Sequence, residues 1–192
     1  MAIRRIIEVP DPILAAVADP VSVVDDEIRI LLDDMAETMF AAPGIGLAAP
    51  QVNVPLRVIV TAVPLRDGLS EEMDGDDDED KAWVTEVVNP VIVEREGKIR
   101  CDEGCLSVPE ITVEVDRAER IVIEGLDRYG KALRFEARGF YAVVFQHEID
   151  HLDGVTLFSR LGSLKRSLYI KKLKKLQRNG SGSSAGSSSR SR

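Results

Sequence analysis

The chain has 192 residues, a length that favours one domain with a real core over two separate domains. Hydrophobic residues make up 44% of it and charged residues 30%, as in soluble globular proteins. No apolar run approaches the roughly 20 residues of a membrane helix, and the N-terminal segment lacks the apolar stretch and cleavage site of a signal peptide. We therefore expect a cytoplasmic protein that does not use a membrane.

In chain order, the first predicted element is a helix over residues 25–41, where Asp25 or Asp26 can cap the start. Its apolar residues recur at the spacing of one helix face: Ile28, Leu31, Leu32, Met35 and Met39. The β-branched run at residues 56–63 predicts a buried strand. Residues 67–80 hold nine acids and no lysine or arginine, so we expect an acidic surface loop that accounts for the net charge of −8.

The second half of the chain predicts strands followed by two helices. Residues 84–94 indicate two short strands broken at Asn89–Pro90. Three more strands are expected at residues 111–115, 120–126 and 132–137, with a turn at residues 127–130. Helical spacing follows at residues 139–152 and, in a basic segment, at residues 163–178, before a low-complexity tail at residues 179–192 that we expect to be disordered.

This order of elements predicts an α+β fold. Antiparallel and mixed β-sheets should surround the central helix at residues 139–152, with an N-terminal helix and a C-terminal basic helix outside them. Residues 1–162 then form the domain, and the basic helix and the tail follow it.

The central helix carries a metal-binding pattern. The chain's two histidines, His147 and His151, stand four residues apart and therefore lie on one face of a helix. Glu148 completes the HExxH pattern, in which two imidazoles hold a metal ion and a carboxylate takes a proton from a water on that ion. With no other histidine in the sequence, this pairing favours a metal site over a purely structural role.

The third metal ligand has to come from upstream. No histidine or glutamate follows His151, and Asp153 is too close to it along the chain to reach the same ion well. The two cysteines, Cys101 and Cys105, are expected to be free thiols or ligands in a reducing compartment, and thiolate suits such a metal. Chemistry alone leaves either cysteine as the ligand, or as a small buried core residue.

A glycine-rich segment, GIGLAAPQ at residues 44–51, formally matches a dinucleotide-binding loop. A helix precedes it where a strand should stand, and Pro50 falls where the phosphate-binding helix should begin, so we expect no nucleotide cofactor. Its glycines would instead let a ligand's main chain approach closely. Gln51 is then either an amide donor to an oxyanion or an ordinary surface residue.

Three segments together resemble the motifs of the peptide deformylase family, and they stand in the family's order. They are GIGLAAPQ at residues 44–51, EGCLS at residues 103–107 and QHEIDH at residues 146–151. The resemblance covers residues 3–161. It implies that residues 1–162 are a catalytic domain that removes the N-formyl group from formyl-methionine at the start of nascent polypeptides and releases formate.

The resemblance also implies the metal centre. It selects Cys105 over Cys101 as the ligand that joins His147 and His151. The ion is expected to be one divalent metal, Fe(II) first, with Zn, Ni or Co as substitutes. Glu148 is then the general acid/base.

Further residues are implied to act on the substrate. Gln51 and the backbone N–H of Leu106 would stabilise the oxyanion formed when metal-bound hydroxide attacks the formyl carbon. The family binds the substrate backbone and methionine at positions that correspond to Ile45, Gly46 and Gly104.

The helix that carries the histidines suggests other neighbours of the site. Val144 and Phe140 share the face of His147 and could line a methionine pocket, although either could be plain core, Phe140 more readily. Glu103 and Asp150 could hold the ligands through hydrogen bonds or salt bridges. Asn53 departs from the glycine that the family often has two residues after the glutamine.

Two other functions fit parts of the sequence. An HExxH peptidase would need the downstream ligand that is missing here. A non-catalytic ribosome-associated factor would use the basic helix at residues 163–178 to contact ribosomal RNA, a role that could also be accessory in a deformylase. That helix could equally be a solvated amphipathic helix packed on the body. Glu148 favours an enzyme, since a binding protein has no need for it.

Overall fold

The computed structural model describes residues 2–63, 65–66, 69–70 and 84–180, with side chains omitted at 65–66, 69–70 and 173–180. The chain divides into two compact units, Met1–Leu157 and Phe158–Arg192. Among the described residues, none of the helices is both long and apolar enough to cross a membrane.

The described residues include four α-helices: α1 (Asp26–Ala41), α2 (Gly139–Leu152), α3 (Leu157–Arg160) and α4 (Ser163–Gly180). The predicted start of α1 is confirmed, because the Asp25 carboxylate accepts a hydrogen bond from the backbone N–H of Ile28 over 3.1 Å. All five residues of its predicted apolar face are buried. The predicted helices at residues 139–152 and 163–178 are also confirmed, the second extending to Gly180.

In the part of the chain that the structure describes, nine strands form two sheets, which confirms the predicted α+β class with antiparallel and mixed sheets. The strands are β1 (Gly46–Ala48), β2 (Val58–Thr61), β3 (Leu65–Arg66), β4 (Leu69–Ser70), β5 (Thr85–Glu96), β6 (Ile99–Cys105), β7 (Val108–Arg117), β8 (Arg120–Leu126) and β9 (Ala132–Arg138). The larger sheet has the order β1-β2-β5-β8-β9-β4-β3, and only the pairing of β4 with β9 is parallel. The hairpin of β6 and β7 forms the smaller, antiparallel sheet.

The predicted break at Asn89–Pro90 is wrong, because β5 runs through it as one strand. The register with β8 shifts between Val88 and Val91, so Pro90 lies in a bulge where no ladder hydrogen bond is required of it. Asn89 has a φ of 53°, in the left-handed region. Its side-chain amide bonds both the N–H and the C=O of Val21 over 2.8 Å, which ties the N-terminal segment to the sheet.

Further differences concern residues that the sequence did not assign to strands, such as those of β1 and β3. Strand β6 was not predicted, although it carries Cys105. Within the predicted acidic loop, Leu69–Ser70 form β4, while residues 67–68 and 71–80 lie outside the described residues, as do residues 181–192 of the predicted tail.

The larger sheet separates two hydrophobic clusters. Alternate residues of β2 enter different clusters: Val58 and Val60 pack with α1, and Ile59 packs with α2. Since successive side chains of a strand point to opposite faces, α1 and α2 cover the two faces of this sheet. Helix α2 also contacts β7 of the hairpin, so it touches both sheets.

In the second unit, Arg166 fastens the start of α4. Its guanidinium donates to the carbonyls of Ser159 and Leu161 over 2.7 and 3.1 Å and lies 5.6 Å above the ring of Phe158. These contacts hold the turn between α3 and α4.

Candidate metal centre and catalytic cavity

Three potential metal ligands converge at the end of β6. The Sγ atom of Cys105 and one ring nitrogen each of His147 and His151 all lie within 4.8 Å of one another. Sγ of Cys105 is 3.2 Å from Nε2 of His151. No other group of three such ligands occurs in the described parts of the chain, and Cys101, the alternative that chemistry left open, is not in this one.

Local structure explains this convergence. His147 and His151 stand one turn apart on α2, with ring centroids 5.1 Å apart. Cys105 ends β6, and the register shifts just before it, so that residues 109–112 of β7 form a bulge opposite Gly104. Such bulges often re-aim side chains beside active sites.

Protonation in this cluster suits a cation. Burial, and then the nearby His147, lower the pKa of His151 well below its usual value, which keeps the neutral imidazole that binds metals. For His147, burial lowers the pKa, but hydrogen bonds to Cys105 and Glu103 outweigh it and raise the pKa to about 10. The surroundings of His147 thus favour positive charge, which a divalent ion would supply in place of the proton. A thiolate and two imidazoles also suit such an ion chemically.

His147 is held from behind by a carboxylate. Its Nδ1 lies 2.7 Å from Oε2 of Glu103, and Glu103 is in turn bonded by Arg117, a residue whose role was not predicted from the sequence. Burial raises the pKa of Glu103, but the hydrogen bonds from Arg117 and His147 more than offset this and lower it to about 2. The carboxylate is therefore ionised and accepts a hydrogen bond from Nδ1–H of His147.

Glu148 faces the same space from the next position on α2. It is 4% exposed, and its Oε2 has no hydrogen-bond partner among the described residues. Burial raises the pKa of this carboxyl to about 7, although His147 lowers it. An unpartnered carboxylate with a pKa near neutrality is suited to accept a proton.

Gly46 of β1 lies against Glu148. A Cβ atom there would clash with Oε1 and would stand 2.7 Å from Cδ of Glu148. Only glycine allows this approach of strand and carboxylate, a reason for its presence that the sequence could not supply.

Gln51 is buried, at 2% exposure, so the alternative of an ordinary surface glutamine is wrong. Its Oε1 accepts a hydrogen bond from the N–H of Ala48 over 2.8 Å. Its Nε2 donates to Oγ of Ser107 over 3.2 Å and lies 3.7 Å from Sγ of Cys105. The amide nitrogen is thus directed to the metal-ligand cluster.

A cavity of about 580 Å³ opens beside these groups. The predicted substrate and oxyanion positions all line it: Ile45, Gly46, Gln51, Gly104, Leu106 and Val144. Phe140 lines it as well and is 56% exposed, so its interpretation as core is wrong. Val144 is 4% exposed and serves both the cavity wall and the core around α2.

Comparisons with known proteins agree with this geometry. The family model described as Polypeptide deformylase matches residues 3–167. A peptide deformylase of Maricaulis maris is 46% identical over 179 residues, which cover 93% of this chain and 96% of the relative. One of Alkalilimnicola ehrlichii is 47% identical over 180 residues, 94% of each chain.

A solved structure extends the agreement to the fold. The peptide deformylase from Ehrlichia chaffeensis in complex with actinonin superposes with a TM-score of 0.80 at 39% identity. The match covers 93% of this chain and 99% of that one. Three segments far apart in the sequence meet at one cavity, and the likeness runs along nearly the whole chain, so this protein belongs to the peptide deformylase family.

Proposed function

We propose that this chain, a hydrolase of the deformylase family, removes the N-formyl group from the N-terminal formyl-methionine of nascent polypeptides and releases formate. The observation that carries the proposal is the cavity itself. Cys105 and His147 of the ligand cluster line it together with Glu148, whose buried Oε2 has no partner among the described residues.

Cys105, His147 and His151 would hold one divalent ion, with Fe(II) as the first candidate and Zn, Ni or Co as substitutes. When bound, such an ion supplies a Lewis acid that polarises the formyl oxygen and lowers the pKa of a water molecule towards about 7. Three protein ligands leave a coordination position open for this chemistry.

Glu148 is proposed as the general acid/base. Its ionised carboxylate accepts a proton from the attacking water through Oε2, and the raised pKa then lets it deliver that proton to the departing amine. Charge gathers on the formyl oxygen as the water attacks. Without the proton from Glu148, the amine would have to leave as an anion.

Gln51 and the backbone N–H of Leu106 are proposed to stabilise the oxyanion. The bond from the Ala48 N–H fixes the oxygen of the Gln51 amide, so its Nε2 has to point towards Cys105 and the cavity. A donor held in place in this way costs no reorganisation when charge develops.

The substrate peptide is proposed to lie along β1. Among the described residues this strand ends the larger sheet and pairs with β2 alone, so its other edge can add an extended chain at Gly46, next to the side chain of Ile45. Gly104 of the hairpin faces the same cavity, and a Cβ at this residue would meet nothing within 4 Å. The apolar side chains of Ile45, Val144 and Phe140 offer a surface for methionine.

Helix α4 is proposed to bring the enzyme to the ribosome in the cytoplasm. Lys165, Lys171 and Lys172 are exposed on it, and such a row of cations binds RNA phosphates in a salt-dependent way. Ending the chain at residue 162 should weaken co-sedimentation with ribosomes at low salt without abolishing cleavage of a short formyl peptide. Equal co-sedimentation of the two forms would contradict this role.

The central test is a formate-release assay. The protein is purified without oxygen, its metal content is measured, and formyl-Met-Ala-Ser is compared with Met-Ala-Ser. We expect one formate per formyl peptide and no cleavage of the unformylated peptide. Peptide-bond hydrolysis, or no formate from metal-loaded protein, would overturn the proposed function.

A further inference from the structure

Arg117, the last residue of β7, is a buried cation next to the ligand-bearing helix. Its side chain is 5% exposed. Nε and Nη2 donate to the two oxygens of Glu103 over 2.7 and 2.9 Å, and Nη1 donates to Oδ2 of Asp150 over 2.6 Å. One guanidinium thus links β6, through Glu103, to α2, through Asp150.

Glu103 extends this link to a metal ligand. The oxygen that accepts from Nη2 of Arg117, Oε2, also accepts from Nδ1 of His147. Because the guanidinium binds both oxygens in a planar fork, the carboxylate cannot rotate without breaking a bond to Arg117. With its Nδ1 proton on a fixed acceptor, the His147 ring has one favoured orientation and keeps the lone pair of Nε2 for a metal.

The residue after Arg117 holds the same helix. Ala118 donates its N–H to Oε1 of Gln146 over 3.0 Å and accepts from Nε2 of Gln146 over 2.8 Å. Gln146 and Asp150 stand on either side of His147 along α2. Residues 117–118 therefore fasten the helix both before and after the ligand.

We infer that Arg117 is a positioning residue of the metal centre, which fixes Glu103 and, through it, the ring of His147 beside Cys105 and His151. Its three bonds reach β6 and α2 at once, so one side chain sets the hairpin and the helix relative to each other where the ligands meet. The inference rests on the metal site of the proposed function. It assigns Arg117 no contact with the substrate.

The substitution Arg117→Lys tests this role, because it keeps the charge and removes the fork. Loss of such an outer partner typically weakens metal affinity by about 10–100-fold. We expect that loss for Co(II), measured by competition with a chelator, together with a shift of the Co(II) absorption bands as the ligand ring reorients. Neither measurement needs turnover. If wild-type protein binds Co(II) but releases no formate, the proposed function is refuted, whereas the role of Arg117 can still be tested by Co(II) binding.

Arg120→Lys is the matched control. Arg120 of β8 makes a comparable set of ion pairs, with Glu136, Glu94 and Glu96, and none of these contacts the ligand cluster. We expect this variant to bind Co(II) with wild-type affinity and spectrum. An equal loss in Arg120→Lys would assign the effect to general stability and overturn the inference.

Asp150→Asn tests the other end of the link should Arg117→Lys fail to fold. It removes the anion that holds Nη1 of Arg117 and leaves the contact with Glu103. A several-fold loss of Co(II) affinity with altered absorption is expected. Wild-type affinity and absorption in whichever of the two variants folds would overturn the inference.

Discussion

Adding a methyl group at Gly46 should displace the proposed general base. The Cβ of alanine would stand 2.7 Å from Cδ and 2.9 Å from Cγ of Glu148. Since non-bonded carbons rest about 3.5–4.0 Å apart, strand and carboxylate must separate by roughly 0.8 Å or more. Glu148 is 4% exposed and Gly46 is buried, and both line the cavity. The carboxylate can therefore yield only by moving into the space that the substrate would occupy.

This displacement should affect both stability and turnover in Gly46→Ala. Overpacking a well-packed core costs about 1–3 kcal/mol in the free energy of unfolding, and we expect the lower end of this range at a cavity wall. Moving a catalytic group by about 1 Å lowers the rate by about 100-fold. Urea unfolding measures the first effect, and formate release from a formyl peptide measures the second.

Two companion variants separate the clash from a general cost of alanine. Gly162→Ala should behave as wild type, because a Cβ at Gly162 meets nothing within 4 Å. Glu148→Ala removes Cγ and the carboxylate and should relieve the clash, so the double variant should be more stable than the two single costs predict, by about 1 kcal/mol. Wild-type stability and turnover in Gly46→Ala, or strict additivity with Glu148→Ala, would refute the reasoning.

The remaining predictions concern the base, the ligands and one turn. Burial raises the pKa of Glu148 to about 7, and the fraction of its base form increases as pH rises. A nearby divalent cation lowers that pKa. Turnover should therefore rise with pH to a plateau, with a midpoint below pH 7. Glu148→Gln should lose at least about 100-fold in turnover across this range while elemental analysis still finds the metal. Cys105→Ala should purify without metal, whereas Cys101→Ala should retain it. Asn53 has a φ of 64°, so Asn53→Ala should lose about 1–2 kcal/mol in urea unfolding and Asn53→Gly should not.

Helices α1, α2 and α4 could be predicted because their signals are local. The spacing of the buried residues of α1, from Ile28 to Met39, was sufficient to identify its face, and the pair Asp25 and Asp26 located its start to within one residue. The two histidines were also predictable as a pair, since i and i+4 positions on a helix must share a face. In each case, residues within two or three turns contain the whole signal.

Strand β6 could not be predicted, because its sequence, IRCDEGC, lacks both an apolar run and regular alternation. It is a strand because it pairs with β7, outside the larger sheet. The role of Arg117 could not be predicted either, because it also depends on contacts between distant segments. Its partners, Glu103 and Asp150, lie 14 and 33 residues away and meet only after the hairpin and α2 have assembled.

Phe140 and Pro90 illustrate a different limit. Phe140 is a large apolar residue on the helix face of His147, as a core residue would be. It is nevertheless exposed, because this part of the face borders a cavity rather than another helix or strand. Pro90 reads as a break, yet a bulge absorbs it within β5. In both cases the deciding fact is what lies opposite the residue, which no single segment contains.

The surroundings of Glu103 and Glu148, the two glutamates beside His147, give their carboxyl groups opposite pKa shifts. Burial acts on both and raises the pKa of each. Arg117 and His147 saturate Glu103 with hydrogen bonds and bring its pKa to about 2, so it stays ionised and can only hold His147 in place. Glu148 has no such partner at Oε2, and its pKa of about 7 lets it both accept and return a proton. The HExxH pattern alone does not show which of these two carboxylates acts as the base. Because Arg117 keeps Glu103 ionised, Glu148 is the one of the two that can exchange a proton at neutral pH.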